Sequence, residues 1–360
     1  MTPHQIDATS HQIDAVIHAG REETRRCRWR SSPDDAEPGG LSWELPSCQV
    51  EGRGSLRFEA LGGECELYAV GPREPLEATA EWIRGLHRRL TRFETDSELS
   101  RFNARAGEWI EVSQELEALL RAALQGFQES DGLVNAAVLP ALIAAGYDRT
   151  FDELALATPE PALTVSVQGT PGTLHRSDAD VHRFDALFRA SSEDIPRRVG
   201  EVRETRAVAP LPDLLDVRPR SARLAPGAAI DLGGLAKGWI ADRAVERMGA
   251  NSLANCGGDL RAVGGGESGE GWPVAFGGKT LLLTDHGAAT SGTTKRRWGD
   301  GFHHLIDPRT GAAADSDLSE VSVLARTALD AEILAKTALL LGSERAPRAL
   351  EGRALAWALT

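Results

Sequence analysis

Alternation of apolar and polar residues begins near residue 56 and predicts the first regular elements. Residues 56–61 (LRFEAL) and 65–70 (CELYAV) alternate as strands do, and a Gly-Gly pair separates them. Over residues 76–93 the apolar positions instead recur every three or four residues, which predicts an amphipathic helix. The folded part of the chain is therefore expected to open with a hairpin followed by a helix.

Capping residues and glycines divide the next stretch into shorter elements. Residues 96–103 (DSELSRFN) predict a short capped helix. Ser113 begins a partial capping box and a longer helix that is expected to run to Phe127. The small apolar residues of 133–147 are expected to be buried.

The pattern weakens between residues 155 and 211. This region contains acidic and Pro-rich pieces, and it favours only two short strands, at 163–167 and near Val208. We interpret 155–211 as an insertion in the folded domain, which could be flexible.

The second half of the chain alternates strands with two helices. Residues 215–224 favour strands, and residues 230–238 (IDLGGLAKG) predict a short strand, a glycine turn and the start of a helix. Further strands are predicted between residues 252 and 283 and over 321–325. An amphipathic helix is predicted over 327–341.

Length and composition are those of an ordinary globular protein. The 360 residues can form one large α/β or α+β domain or two smaller ones. The net charge of −13 argues against general nucleic-acid binding, which needs a basic surface. The four cysteines have neither the spacing of a zinc site nor that of a disulfide framework.

Residues 1–53 are predicted to be a polar, disordered tail, and residues 54–350 are predicted to form the folded domain. No apolar run in the sequence is long enough to span a membrane, and residues 1–30 lack the apolar core of a secretory signal. Cys27 lies among arginines, which is not the context of a lipoprotein cleavage site. We therefore expect a cytoplasmic protein.

Residues 230–238 contain the combination of residue types best suited to bind a phosphate. Glycines let a ligand approach the main chain closely, and the amides that open a helix attract phosphate oxygens. Lys237 adds a positive charge there, although a lysine in the first turn of a helix opposes the helix dipole. The alternative interpretation is an ordinary strand-to-helix turn with an exposed lysine.

Five segments of the chain resemble, in order, the motifs of the ApbE-like FAD:protein FMN transferase (flavin transferase) family. They are 96–103 (DSELSRFN), 230–238 (IDLGGLAKG), 255–259 (NCGGD), 289–292 (ATSG) and 304–311 (HLIDPRTG). The resemblance extends from about residue 56 to residue 342 and is poorest over 155–211. It implies a two-lobed α+β fold with the active site in the cleft between the lobes.

The resemblance also implies an activity and its cofactors. Enzymes of this family are magnesium-dependent and cleave the pyrophosphate of FAD, which is the substrate. They transfer FMN through a phosphoester bond to a threonine or serine of an acceptor flavoprotein and release AMP. An acceptor flavoprotein is accordingly the expected partner.

Several cofactor contacts follow from the matched motifs. Asp231 and Lys237 match residues that contact FAD, and Ile306 lies where the family makes a mostly main-chain contact to FAD. Leu61 and Phe93 lie near positions that could line a pocket for adenine or isoalloxazine. Either residue could equally belong to the ordinary core.

The catalytic and metal positions follow in the same way. His304 could act as general base toward an acceptor hydroxyl, could hold the flavin or phosphate, or could be a structural histidine beside Asp307. Gly234 matches the residue whose carbonyl oxygen binds magnesium in the family. A carbonyl ligand imposes little on the side chain, so a glycine is acceptable there.

Two segments depart from the family pattern. Residues 132–138 (GLVNAAV) replace the family sequence G-x-F-D-P-T-V, so that Asn135 stands in place of an aspartate. An amide can still form a hydrogen bond to the edge of a flavin. The last helix of the family carries an aspartate and, four residues later, a threonine, which are both metal ligands. Glu332 and Lys336 occupy those two positions here.

The second departure has two interpretations. Glu332 could still reach a metal ion, but a protonated lysine cannot bind one, and the adjacent Thr337 is rotated by about 100° around the helix. In one interpretation Glu332 and Lys336 form an ordinary salt bridge one turn apart. In the other, the ammonium group of Lys336 points into the cleft and performs part of the role of the metal ion.

Three functions remain open from the sequence. The first is FMN transfer from FAD to an acceptor protein. The second is non-catalytic FAD binding by a degenerate relative, and the third is hydrolysis of FAD to free FMN and AMP.

Overall fold

The computed structural model describes residues 53–151, 153–154, 206–276, 279–294, 296–298 and 302–360. The strands are β1 (Arg53–Ala60), β2 (Gly63–Val70), β3 (Ile110–Glu111), β4 (Leu215–Arg218), β5 (Ser221–Leu224), β6 (Ser252–Cys256), β7 (Asp259–Val263), β8 (Trp272–Phe276), β9 (Lys279–Leu283), β10 (Gly287–Gly292), β11 (Arg297–Trp298), β12 (Phe302–His303), β13 (Ile306–Asp307), β14 (Ala312–Ala313), β15 (Glu320–Ala325) and β16 (Ala356–Leu359). The helices are α1 (Glu74–Leu90), α2 (Glu98–Ala104), α3 (Gln114–Glu129), α4 (Leu139–Ala144), α5 (Leu211–Leu214), α6 (Ala236–Met248), α7 (Ala328–Leu341) and α8 (Ala346–Leu350). Residues 1–52 of the predicted tail and 155–205 of the predicted insertion, with the strand predicted at 163–167, lie outside the described residues.

An antiparallel sheet of seven strands forms the centre of the fold. Its strand order is β1-β2-β6-β7-β10-β15-β16, and every neighbouring pair is antiparallel. The edge strand β16 lies beyond the predicted domain boundary at residue 350. The sheet and its helices make the fold α+β, as expected.

Both faces of the sheet are covered, which explains why its central strands are buried. Helix α6 lies between α1 and α7 and packs against β6 and β7, while α7 packs against β10 and β15. The hairpin of β8 and β9 supplies Trp272, Val274 and Leu281 to a separate apolar cluster with Leu253 and Leu260 of β6 and β7. All residues of β6 and β15 are consequently buried.

The two predicted caps are confirmed. The Ser97 hydroxyl accepts a hydrogen bond from Ser100 N (3.0 Å) at the start of α2, and the Ser113 hydroxyl accepts one from Leu116 N (3.1 Å) at the start of α3. The N–H of Ser113 donates to the carboxylate of Glu98 (2.7 Å) on the preceding helix. The cap of α3 therefore also fixes α2 against it.

Two predicted strands are wrong. Residues 230–232 form no regular secondary structure and belong to no sheet, because side chains and a loop carbonyl satisfy their backbone groups (described below). Val208 lies in an irregular segment before α5, where its N–H donates to Pro308 O (2.8 Å). Helix α8 and strand β16 form without having been predicted. Among the described residues, no helix combines the length and the apolar character that crossing a membrane requires.

Candidate active site

The segment before helix α6 is positioned by side-chain and loop contacts. The Asn103 side chain of α2 donates to Ile230 O and accepts from Ile230 N, both at 2.9 Å. The next residue, Asp231, donates its N–H to Ala136 O (2.8 Å), and its carboxylate accepts a hydrogen bond from Gly233 N (2.7 Å). Two of the sequence motifs, 96–103 and 230–238, are thereby joined directly.

Lys237 is buried between two carboxylates. Its Nζ forms an ion pair with Asp259, and it lies 3.4 Å from Oε1 of Glu332. Burial alone would lower the pKa of Lys237, but the attraction of Asp259 and Glu332 outweighs burial and raises it. Lys237 therefore carries its charge at neutral pH, and it is not the exposed lysine of the alternative interpretation.

Asp259 is the acidic end of the motif NCGGD and opens strand β7. Gly257 and Gly258 before it both have positive φ angles (64° and 98°), which lets the chain turn tightly from β6 into β7. Only 1% of the Asp259 side chain is exposed, and burial is the main reason that its pKa is raised. Its partner Lys237 offsets part of this rise in pKa. The motif NCGGD is recognisable in the sequence, but the motif alone predicts no role for Asp259.

Glu332 joins helix α7 to the start of helix α6. Its Oε2 accepts a hydrogen bond from Gly238 N (2.9 Å), and its Oε1 faces Lys237. The helices approach closely because Gly238 has no side chain: a Cβ at this position would lie 2.6 Å from Ala328 O. Glu332 is therefore buried with both of its oxygens in use.

Lys336 lies one turn after Glu332 on α7. Its Nζ donates a hydrogen bond to Gly234 O at 2.5 Å. Burial lowers the pKa of Lys336, and the carboxylate of Glu332 offsets this only in part. The carbonyl that binds magnesium in the family thus has an ammonium group as its neighbour.

The residues present do not fit a magnesium ion. Magnesium requires near-octahedral coordination by oxygen atoms at 2.0–2.1 Å. Gly234 O already accepts from Lys336, and the oxygens of Glu332 are bound to Gly238 N and Lys237. Within the described ranges, no group of three or more His, Cys, Asp or Glu residues could hold a metal ion. Gly234 contacts Lys336 and Glu332 contacts Lys237 within the same cluster, and the role of Gly234 and Glu332 as metal ligands stays a prediction.

Arg92 forms a second charged contact with the same segment. Its Nε lies 2.6 Å from Oδ2 of Asp231, and its guanidinium group lies over the rings of Phe93 (4.2 Å) and Tyr147 (4.6 Å). Only 7% of this side chain is exposed, and its Nη2 has no hydrogen-bond partner among the described residues. A buried donor without a partner is suited to an anionic ligand. In the sequence, Arg92 is distinguished only by its position four residues before the motif DSELSRFN.

Two of the predicted cofactor contacts belong to one apolar cluster. Ile306 is buried with Leu142, Tyr147 and Trp298, and Phe93 packs against this group. Trp298 and Tyr147 lie with their ring centroids 5.1 Å apart. The cluster adjoins the ion pair of Arg92 and Asp231, so an apolar surface lies beside a charged one.

His304 lies close enough to Lys237 and Lys336 for their charges to affect its pKa. Burial lowers its pKa well below the ordinary value, and the positive charges of Arg296, Lys336 and Lys237 lower the pKa further. The imidazole is therefore neutral at pH 7, and its Nδ1 is buried without a hydrogen-bond partner in the described part of the chain. Neighbouring Asp307 instead binds Arg309 (Nη2 to Oδ2, 2.7 Å), and that arginine also donates to Leu340 O at the end of α7.

Leu61 and Asn135 lie at the edge of this group. Leu61 forms the turn between β1 and β2 with Gly62, whose carbonyl accepts a hydrogen bond from Arg296 (3.1 Å). The Asn135 side chain donates to Ala209 O and accepts from Ala137 N, both at 3.0 Å. Asn135 thus holds the loop next to Asp231, and these bonds use one of its two N–H donors and one of the two lone pairs of its oxygen.

Among the described residues, the charged side chains around the turn of Gly233 and Gly234 have a positive excess. The cations are Arg92, Lys237, Arg296 and Lys336, and the carboxylates are Asp231, Asp259 and Glu332. The chain as a whole has a net charge of −13, so this local excess is opposite in sign to the rest of the protein. An anion is the ligand that such a group of side chains attracts.

Comparison with protein families identifies a match over most of the chain. The ApbE family model matches residues 61–358. A protein of Klebsiella pneumoniae named FAD:protein FMN transferase is 33% identical over 138 residues, which are 36% of this chain and 44% of that protein. A protein of the same name from Treponema pallidum is 30% identical over 278 residues, which are 69% of this chain and 66% of that protein. The chain thus spans between two fifths and two thirds of the length of these two relatives.

Comparison with solved structures identifies the fold. The ApbE protein of Thermotoga maritima matches with a TM-score of 0.61 and 22% sequence identity, over 83% of this chain and 90% of that one. The α+β fold described above is therefore the fold of the ApbE structures.

Proposed function

The chain belongs to the ApbE family, and from this premise we propose that it is an FAD:protein FMN transferase. FAD is the substrate, a threonine or serine of an acceptor flavoprotein receives FMN, and AMP is the second product. The observation that carries this proposal is the cluster of buried cations and carboxylates around Gly233 and Gly234. This cluster gathers side chains from motifs that are far apart in sequence, and it has the charge that a pyrophosphate needs.

The reaction breaks one bond and forms one bond at the same phosphorus atom. The acceptor hydroxyl oxygen attacks the phosphorus on the FMN side of the pyrophosphate. The bond from this phosphorus to the bridging oxygen breaks, and AMP leaves with that oxygen. Negative charge builds up on the bridging and non-bridging oxygens, so correctly placed cations supply much of the rate enhancement.

We assign the cations to the pyrophosphate. Asp259 and Glu332 hold Lys237 in a fixed position before substrate binds. Its long side chain therefore does not have to be reoriented on binding. Arg92 offers its unpaired Nη2, and its contact with Asp231 orients the guanidinium group. Both side chains are largely buried, so the surrounding water screens their charges only weakly.

We assign His304 as the base that accepts the hydroxyl proton. A base must be unprotonated before the reaction, and the low pKa of His304 satisfies this condition at neutral pH. In the tautomer with its proton on Nε2, the buried Nδ1 carries a free lone pair. The negative charges of a bound pyrophosphate would raise the pKa of His304 toward a value suited to proton transfer.

We assign the isoalloxazine or adenine ring to the apolar cluster beside Arg92. Phe93, Tyr147, Trp298 and Ile306 provide aromatic and aliphatic surface next to the charged group. We further propose that the site lies in a cleft between two lobes, with Leu61 and Asn135 at its edge. Substitution of Phe93 by alanine should therefore weaken FAD binding while leaving the charged contacts in place.

Product analysis tests the proposed function. Purified protein is incubated with FAD and with apo-flavoproteins that carry a threonine acceptor motif, and nucleotides and protein masses are measured. The proposal predicts AMP together with an acceptor that has gained one FMN less a water molecule. Free FMN with AMP would indicate a pyrophosphatase, and bound but uncleaved FAD would indicate a non-catalytic FAD-binding protein.

A matched pair of histidine variants ties the activity to the site. His304→Gln removes the proposed base and should lower AMP release by about 100-fold or more, in the range typical of a lost general base. His286→Gln changes the same residue type outside the charged group and should leave AMP release unchanged. Equal loss in both variants would argue against the assignment of His304.

A further inference from the structure

The ammonium group of Lys336 occupies the space in front of the glycine turn. Its Nζ lies 2.5 Å from Gly234 O, and a Cβ built on Gly234 would collide with it. Lys336 is therefore in direct contact with the turn. A magnesium ion bound to the same carbonyl, at 2.0–2.1 Å, would overlap the ammonium group.

The simple salt bridge between Glu332 and Lys336 does not account for this geometry. Such a pair on an exposed helix face contributes only a few tenths of a kcal/mol and leaves both side chains in solvent. Glu332 is instead buried against Gly238 N and Lys237, while Lys336 reaches away from its own helix to Gly234. The lysine is thus part of the contact between α7 and the turn that precedes α6.

A protonated lysine can perform part of the work of a cation at this place. The ammonium group has three N–H donors, and Gly234 O accepts one of them. Within the described residues the other two form no hydrogen bond, so they can donate to phosphate oxygens. Burial makes each such charged hydrogen bond stronger than it would be in water.

We infer that Lys336 replaces the metal ion of the family, so that FAD cleavage in this chain proceeds without magnesium. The inference rests on the proposed function, which supplies its substrate, a pyrophosphate. The position of the Lys336 ammonium group comes from the structure. Asp259 and Glu332 hold Lys237 in place, and the carbonyl of Gly234 holds Lys336. In place of a divalent metal ion, the site then has the ammonium group of Lys336, with a single positive charge and two N–H donors.

Direct measurement of metal binding tests this inference without any need for activity. Mn²⁺, as a paramagnetic probe for magnesium, is titrated into the wild-type protein and the double variant Glu332→Asp/Lys336→Thr, and free Mn²⁺ is followed by electron paramagnetic resonance. The wild-type protein should bind no stoichiometric Mn²⁺. The double variant restores the family ligands and should bind one ion. Stoichiometric Mn²⁺ on the wild-type protein would overturn the inference, whether or not the variant folds.

AMP release with and without EDTA supplies the second measurement. Wild-type activity should be unchanged by EDTA, whereas Lys336→Met should lose about 100-fold, as when one donor to a developing oxyanion is removed. Arg348→Met removes the same charge from an exposed residue of α8 and should retain full activity. Wild-type activity that disappears in EDTA and returns with Mg²⁺ would contradict the inference. No AMP release under any condition would remove the proposed function, and the Mn²⁺ titration would still decide the role of Lys336.

Discussion

At the scale of single residues, the charge on Lys237 balances two buried carboxylates. Asp259 and Glu332 both lie in contact with it, and neither is exposed to water. A buried charge that loses its partner is costly, even where the complete pair contributes little to stability. The lysine is therefore expected to matter for folding as well as for FAD.

Lys237→Met should lower the free energy of unfolding by about 3 kcal/mol or more, because two carboxylates stay buried without their cation. Denaturant unfolding at pH 7 measures this change. The double variant Lys237→Met/Asp259→Asn removes one of the uncompensated charges and should recover part of the loss. A double variant that is less stable than Lys237→Met would contradict the charge-balance argument.

His304 should make stability depend on pH in a defined direction. Burial and nearby cations hold the pKa of His304 below that of an unfolded histidine, which is about 6.5. As the pH falls below that value, the unfolded chain binds a proton that the folded protein does not bind, and the free energy of unfolding decreases. His304→Gln removes this contribution, so its stability should fall less between pH 7.5 and pH 5.5. Parallel curves for the wild-type protein and the variant would contradict the low pKa.

Candidate site residues in the motifs follow from the sequence, whereas their partners in space do not. The structure brings Lys237 into contact with Glu332 and places Gly234 against Lys336 of the same helix, and the roles of these residues stay predictions. Arg92 could not be recognised because its role depends on contacts with Asp231 and Tyr147, which are distant in sequence. The sequence could not decide between the two interpretations of Lys336, because a position on a helix does not determine which way a long, flexible side chain points.

At the scale of elements, the site depends on the close contact between helices α6 and α7. Gly238 permits the contact, and Asp242 of α6 accepts hydrogen bonds from Ala328 N (2.9 Å) and Leu329 N (3.1 Å) at the start of α7. Burial raises the pKa of Asp242 to about 6, although the two amides oppose this rise. Helix α6 therefore caps helix α7 and sets the positions of Glu332 and Lys336.

Gly238→Ala should destabilise the protein by about 1–3 kcal/mol, because the added methyl group meets backbone atoms of α7 that cannot move independently. AMP release should fall as well, since Lys237 and Glu332 would separate. Gly85→Ala in α1 is the matched control, because a Cβ there meets no atom within 4 Å. That variant should gain up to about 1 kcal/mol from helix propensity. Equal destabilisation in both variants would contradict the role given to the helix contact.

Most long elements could be predicted because their apolar spacing repeats over several turns or strand residues. The segment 230–232 was mistaken for a strand because its apolar residues point into the core, as those of a strand would. Its hydrogen bonds, however, go to the Asn103 side chain and to Ala136 O. Strand β16 was missed because its four residues are too few to establish a pattern.

At the scale of the whole molecule, the last strand completes the central sheet. Strand β16 pairs with β15 over four residues, and Trp357 belongs to the apolar cluster that covers α7. The strand order of this sheet brings together segments from both ends of the described chain. Local sequence patterns cannot predict such an arrangement. The family resemblance predicted one fold for residues 56–342, but it did not extend to β16.

Truncation after residue 350 should destabilise the protein by about 3 kcal/mol or more, since it removes a buried tryptophan and exposes the edge of β15. Thermal unfolding followed by tryptophan fluorescence measures the loss. Trp357→Phe keeps the strand and most of the apolar volume and should cost much less. Unchanged stability after truncation would show that β16 is dispensable for the domain.

The central claim is that the chain transfers FMN from FAD to a protein hydroxyl. Reaction with FAD and an apo-flavoprotein acceptor in ¹⁸O-labelled water tests it most directly, because the source of the new phosphorus–oxygen bond becomes visible by mass spectrometry. The account predicts an acceptor that carries FMN, together with AMP, and no ¹⁸O in either product. FMN that contains ¹⁸O beside an unmodified acceptor would contradict it.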